Sequence, residues 1–109
     1  VGAVTDPQTA DPWDGDGHHL DFGNGVTARW LVHGDDPTRV SLIETHTNNA
    51  TGKTCYGSVM FDLPYVRRAF PGSHVWAVES WEPLTVSPSV LCRECGHHGF
   101  IREGRWVPA

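Results

Sequence analysis

The stretch LCRECGHHGFIREGRWVPA, Leu91 to Ala109, decides how the fold is read. It gathers two cysteines, two histidines and a glycine between Cys92 and His98, in a chain of 109 residues that has three cysteines altogether. Cys92-Arg93-Glu94-Cys95-Gly96 has the form of a knuckle, in which one tight turn presents two thiolates to a single ion. A glycine after the second cysteine allows the backbone to aim its amides at the sulfurs. The residues that follow, HGFI and RWV on either side of Arg102-Glu103-Gly104, read as a closing hairpin with Gly104 in its turn.

Two thiolates do not complete a structural zinc site, which is four-coordinate and tetrahedral. Cys55 is the remaining thiol and the expected third donor, and either His97 or His98 would complete the set. His74 is a further alternative, because it opens a strand just ahead of the cysteine segment. Two other readings stay open at this point. Cys55 can be a small buried apolar group with Cys92 and Cys95 as reduced thiols at a turn, or the Cys-x-x-Cys can be a redox dithiol. No thioredoxin-like βαβ pattern surrounds the pair, and an odd cysteine count does not fit a secreted disulfide framework. Neither H-E-x-x-H nor the deaminase pattern of H-x-E with P-C-x-x-C occurs, nor a P-loop, a G-x-S-x-G or a dinucleotide fingerprint. No residue is assigned a catalytic role.

Working back from this segment, the chain reads as a series of short strands. HHLDF and VTARWLVH flank Gly23-Asn24-Gly25, which is a hairpin turn. GDDPT leads into RVSLIETH, whose Val40, Leu42 and Glu44 share one face and whose Ser41 and Ile43 share the other. The loop NNATGK precedes the strand TCYGSVMFDLP, which ends at Pro64. YVRRAF makes one short helix before Pro71-Gly72, HVWAVES is a further strand, and WEPLTVSPSVL is an extended segment broken by Pro83 and Pro88. The fold class expected is therefore mainly β: a small antiparallel, sandwich-like domain with one short helix and a zinc-knuckle-like C-terminal hairpin. Residues 1–17 read as an acidic extended arm and residues 18–109 as a single zinc-stabilised domain.

Composition narrows the partners. The first fifty residues carry eight acids against Arg29 and Arg39, whereas the rest carries six bases and five acids, for a net charge of -5. That distribution lacks the basic stripe of a nucleic-acid footprint. No apolar run approaches the roughly 20 residues of a membrane span, and the acidic start has no signal-peptide core, so a soluble chain folding in the cytoplasm is expected. Trp30 and Trp76 are expected in the core. Trp13 and Trp81 stand beside turns and charges, and are the candidates for a partner contact.

The C-terminal half resembles a family of small proteins from tailed phages and prophages. The resemblance spans roughly residues 55–109 and rests on Trp76, on Pro83 with Thr85, Ser87, Pro88 and Ser89, and on His98, Phe100, Ile101 and Gly104. Leu84 stands as an insertion in the Pro-Thr step, and Cys55 alone remains where relatives carry a cysteine-rich segment, which leaves a single metal site. The ending GFIREGRWVPA is similar to versions from phages of actinobacteria. Many members are labelled ammonia monooxygenases, a chemistry that no residue pattern here supports, and the family is otherwise of undefined function. The resemblance favours His98 as the fourth donor. It implies a structural or interaction protein, a small virion component on a capsid or tail surface, present in the host cytoplasm during assembly and then in the particle. Its partners would be other phage structural proteins, contacted by multiple copies. The alternatives are a metal-dependent hydrolase and a host-takeover or anti-defence binder.

Overall fold

The computed structural model describes residues 19–33 and 36–109, and the expected acidic arm, with Trp13, lies outside them. The chain is mainly β, as its patterning requires. The strands are β1 (His19–Gly23), β2 (Val26–His33), β3 (Asp36–Thr47) and β4 (Thr54–Met60), then the helix α1 (Pro64–Ala69), then β5 (Ala77–Trp81), β6 (Leu84–Ser87), β7 (Val90–Leu91), β8 (His98–Arg102) and β9 (Arg105–Pro108). They form a four-stranded sheet β1-β2-β3-β4, a two-stranded sheet β5-β6 and a three-stranded sheet β7-β8-β9, and every strand pairing within them is antiparallel.

Period-two alternation fills the space between these sheets. Val26, Ala28 and Trp30 from β2, Leu42 from β3 and Val59 from β4 point to the same side and meet Leu84, Val86, Val90, Ile101 and Trp106 from the smaller sheets in one core. Phe61, fully buried at the end of β4, packs edge-on to Trp30 and Trp81 with ring centroids 5.9 and 5.1 Å apart. Trp81 is thus half-buried against the core rather than presented as a contact surface, because the β5–β6 hairpin turns its ring inward.

Isolated hairpins are marginal in water, so the small sheets depend on what joins them to the large one. At one end Phe61 and Trp76 form a parallel bridge, with the Trp76 amide donating to the Met60 carbonyl and the Asp62 amide to that of Trp76. At the other, the Asn24 side-chain amide donates to the Trp106 carbonyl at 2.9 Å. The β8–β9 turn, whose Glu103 and Gly104 both have positive φ, lies over β6: the Gly104 amide donates to the Leu84 carbonyl and the Glu103 amide to Thr85 Oγ1. The segment 81–91, expected to be simply extended, is therefore two strands, β6 and β7, divided at Pro88. The helix starts one residue earlier than expected, with Pro64 in its first turn, where the missing N–H costs nothing. No helix among the described residues is long and apolar enough to cross a membrane.

Gly99 is where β8 and β9 meet most closely, since a Cβ there would overlap the buried Trp106 indole. Gly99→Ala is expected to destabilise the fold by about 1–3 kcal/mol through overpacking, with a lower midpoint in urea unfolding at unchanged slope.

Candidate metal centre

The inner face of the β3–β4 ladder changes character along its length. Leu42 pairs with Val59, Glu44 with Gly57, and His46 with Cys55. The first pair belongs to the core and the last lies at the end of the sheet next to the hairpin loop. That loop is closed by the Asn48 amide on the Lys53 carbonyl and the Gly52 amide on the Asn48 carbonyl. A polar site is thereby set against the end of an apolar interior.

The knuckle comes to this point from the other side. Between β7 and β8 the Gly96 amide donates to the Cys92 carbonyl and the Cys92 amide to the His97 carbonyl, each at 2.7 Å, and Gly96 takes the positive φ of 80° expected of it. The thiols of Cys55, Cys92 and Cys95 and a ring nitrogen of His46 all lie within 4.8 Å of one another. A tetrahedral ion bound at roughly 2.0–2.3 Å needs donors about 3.3–3.8 Å apart, so small side-chain adjustments are enough to bind one.

His46 is oriented for that role. Its Nδ1–H donates to Glu44 Oε2 at 2.5 Å, so Nε2, 3.2 Å from Cys95 Sγ, is the nitrogen that faces the thiols and that an ion would take on displacing its proton. A carboxylate behind a ligating imidazole fixes tautomer and ring orientation and raises the basicity of the ligating nitrogen. Glu44 is 2% exposed, and its neighbours across the ladder are Ala28, with a single methyl, and Gly57, with no side chain, which leaves room for a carboxylate. A Cβ at Gly57 would stand 3.1 Å from Glu44 Oε1. Burial raises the Glu44 pKa, against the pull of its hydrogen bond and charge interaction with His46. Burial acts to lower that of His46, but hydrogen bonds with Glu44 and Cys95 outweigh it and raise the imidazole to about 9.

The fourth donor expected from sequence is therefore corrected from His98 to His46. His98 pairs with Leu91, and its exposed side chain is bonded through Nε2 to Ser89 Oγ at 2.8 Å. Inward-facing Gly99 follows it, so strand alternation turns His98 to the outer face. His74 packs edge-on against Trp76, with centroids 4.4 Å apart, and is not among the clustered donors. His97 is nearer: its ring stacks on His46 at 4.1 Å and on Trp106 at 4.8 Å. A donor atom of His97 lies within 4.8 Å of those of Glu44 and His46. Near-parallel rings direct their in-plane lone pairs alongside each other, so His97 walls the centre rather than completing it. Among the described residues its buried Nδ1 meets no partner, and burial together with the charge on His46 lowers its pKa, which favours the neutral ring.

His46 and Glu44 are the residues that sequence reasoning missed. The available signal was Glu-Thr-His on a strand whose acid falls on the apolar face, opposite a cysteine across a short hairpin loop.

The thiols are unequal before any ion binds. Burial acts to raise Cys92, but hydrogen bonds from the backbone amides of Cys95 and Glu94 and from the side chains of Cys95 and His46 outweigh it and lower the thiol to about 7. Burial, with hydrogen bonds and charge from Cys92 and Cys95, pushes Cys55 up to about 12. In chelator-treated native protein at pH 8, iodoacetamide is therefore expected to label Cys92 well before Cys55, as read by peptide mass mapping over time. Labelling of Cys55 first would contradict this ordering. No protein-family model, curated protein or solved structure matches the chain.

Proposed function

We propose that Cys55, Cys92, Cys95 and His46 hold one structural zinc ion, and that the chain is a phage-encoded structural or interaction protein, a small virion component of a capsid or tail surface, rather than an enzyme. One observation carries the zinc reading: three thiols and an imidazole converge from two segments far apart in sequence, and a buried carboxylate orients the imidazole. Three thiolates and one nitrogen form a soft donor set suited to zinc. Four protein donors fill a tetrahedron and leave no position for a substrate or an activated water, and Glu44 is engaged by His46 rather than free to act as a base. An ion here ties the β3–β4 hairpin to the β7–β8 turn, which is the kind of staple a small domain uses to supplement a thin core. The virion role is supported by the resemblance of residues 55–109 to the phage family, and by an acidic composition that suits protein rather than nucleic-acid partners.

Elemental analysis of protein purified without added metal is expected to find one zinc per chain. Cys55→Ser, Cys92→Ser and His46→Ala should each lose it and lower the midpoint of thermal unfolding, and His98→Ala should retain it. Glu44→Gln, which keeps the volume but removes the charge behind His46, should weaken zinc binding about 10–100-fold in competition with a chromophoric chelator. A metal-free wild type of unchanged stability in chelator would end the zinc reading. For the virion role, mass spectrometry of purified particles should find the chain at a fixed copy number; its presence only in the lysate would refute that role.

A further inference from the structure

Strand β4 lies at an edge of the four-stranded sheet and lacks the usual protections of an edge. Residues 54–60, TCYGSVM, contain no charge and no proline, and their register against β3 runs without a bulge. Natural edges are ordinarily blunted by one of these devices, because an open row of backbone groups is a template for another strand. The direction of that row follows from two hydrogen bonds. The Phe61 amide donates to the Val40 carbonyl of the preceding strand segment, whereas the Met60 carbonyl accepts from Trp76 on the opposite side. By strand alternation, residues 55, 57 and 59 bond to β3, and the N–H and C=O groups of Thr54, Tyr56 and Ser58 point away from the sheet. Among the described residues no hydrogen bond meets them. The Phe61–Trp76 bridge closes the edge beyond Met60, leaving residues 54–58 open. At the middle of this window stands Tyr56, which at 73% is the most exposed of the large hydrophobic residues described.

We propose that residues 54–58 pair antiparallel with the same residues of a second copy of this chain, about a twofold axis at Tyr56, joining two four-stranded sheets into one. The window fits itself under that operation: Thr54 faces Ser58 of the second copy, Tyr56 faces Tyr56, and Ser58 faces Thr54. These are the three residues whose backbone groups point outward. Three such hydrogen-bonded pairs exchange about six backbone bonds. The two tyrosines meet as a cross-strand aromatic pair on the outer face. An uncharged window sets no like charges against each other across the axis, which is what self-pairing requires and what a charged peptide partner would not need. The inference does not rest on the zinc reading, since it uses the outer edge of β4 and not its inner face.

Light scattering coupled to size exclusion, run from low to high protein concentration, should show a rise toward twice the 12.0 kDa chain mass. Ser58→Pro removes an outward N–H that the monomer does not use, so it should leave the circular dichroism unchanged and hold the chain monomeric. Hydrogen exchange on the wild type provides the check if that variant fails to fold. The amides of Tyr56 and Ser58 should exchange at least tenfold more slowly in concentrated than in dilute protein, while those of Glu103 and Gly104, hydrogen-bonded within the chain, do not change. A wild type that stays monomeric at millimolar concentration would overturn the proposal. So would a dimer whose Tyr56 and Ser58 amides exchange freely, or a folded Ser58→Pro chain that still dimerises.

Discussion

The hydrogen bond from His46 Nδ1–H to the buried Glu44 carboxylate is the interaction on which the arrangement of this protein turns. Taking a carboxylate and an imidazole out of water costs several kcal/mol per ion, and an apolar pair of the same volume would often be as stable. The fold nonetheless accommodates the acid on its inner face, opposite Ala28 and Gly57, where larger residues would have excluded it. Such a pair is understandable if its product is orientation. With Nδ1 committed to Glu44, Nε2 is the nitrogen left facing Cys55, Cys92 and Cys95, so the ring orientation is set before any ion arrives and binding displaces the proton from Nε2.

That constraint also separates the two faces of the C-terminal hairpin. His97 follows the knuckle, stacks on His46 and Trp106, and closes the centre off with aromatic surface. The overlap that a Cβ at Gly99 would make with the Trp106 indole shows how closely this wall is packed. His98, one residue from His97, is turned outward to Ser89. Adjacent histidines thus have opposite environments because a strand has a period of two, and no exchange between them is available without a register slip that would also bring Gly99 and Ile101 out of the interior.

This period explains what the sequence did and did not make legible. The succession of strands up to β4, the short helix and the C-terminal hairpin follow from alternation and from turn residues at Asn24-Gly25, Asn48–Lys53 and Glu103-Gly104. The three thiols were legible because cysteine is rare in the chain and two stand in a knuckle. The imidazole was not. Choosing among seven histidines needs the pairing of β3 with β4, and the motif resemblance pointed to His98, which the β7–β8 register places on the wrong face. Glu44 was visible as an acid on an apolar face, but its purpose depended on knowing that His46 lay beside it and Cys55 across from it. Trp81 misled for a related reason: neighbouring charges suggested a surface, whereas the β5–β6 turn brings the ring onto Phe61.

Three sheets of four, two and three strands have more edges than a core of this size can cover. Most are joined in pairs: β9 to the β1–β2 turn through Asn24, β6 to the β8–β9 turn through Leu84 and Thr85, and the end of β4 to β5 through Trp76. Each junction is only one or two hydrogen bonds, worth about 1 kcal/mol apiece, so together they position the small sheets without strongly fixing them. Among the described residues, the donor cluster brings β3, β4 and the β7–β8 turn to a single point through side chains capable of strong bonds. On its inner face β4 keeps a bulge-free register with β3, while its outer edge remains open between Thr54 and Ser58. A strand already paired along one side and open on the other is well prepared to pair again, because its backbone is ordered before a partner strand arrives.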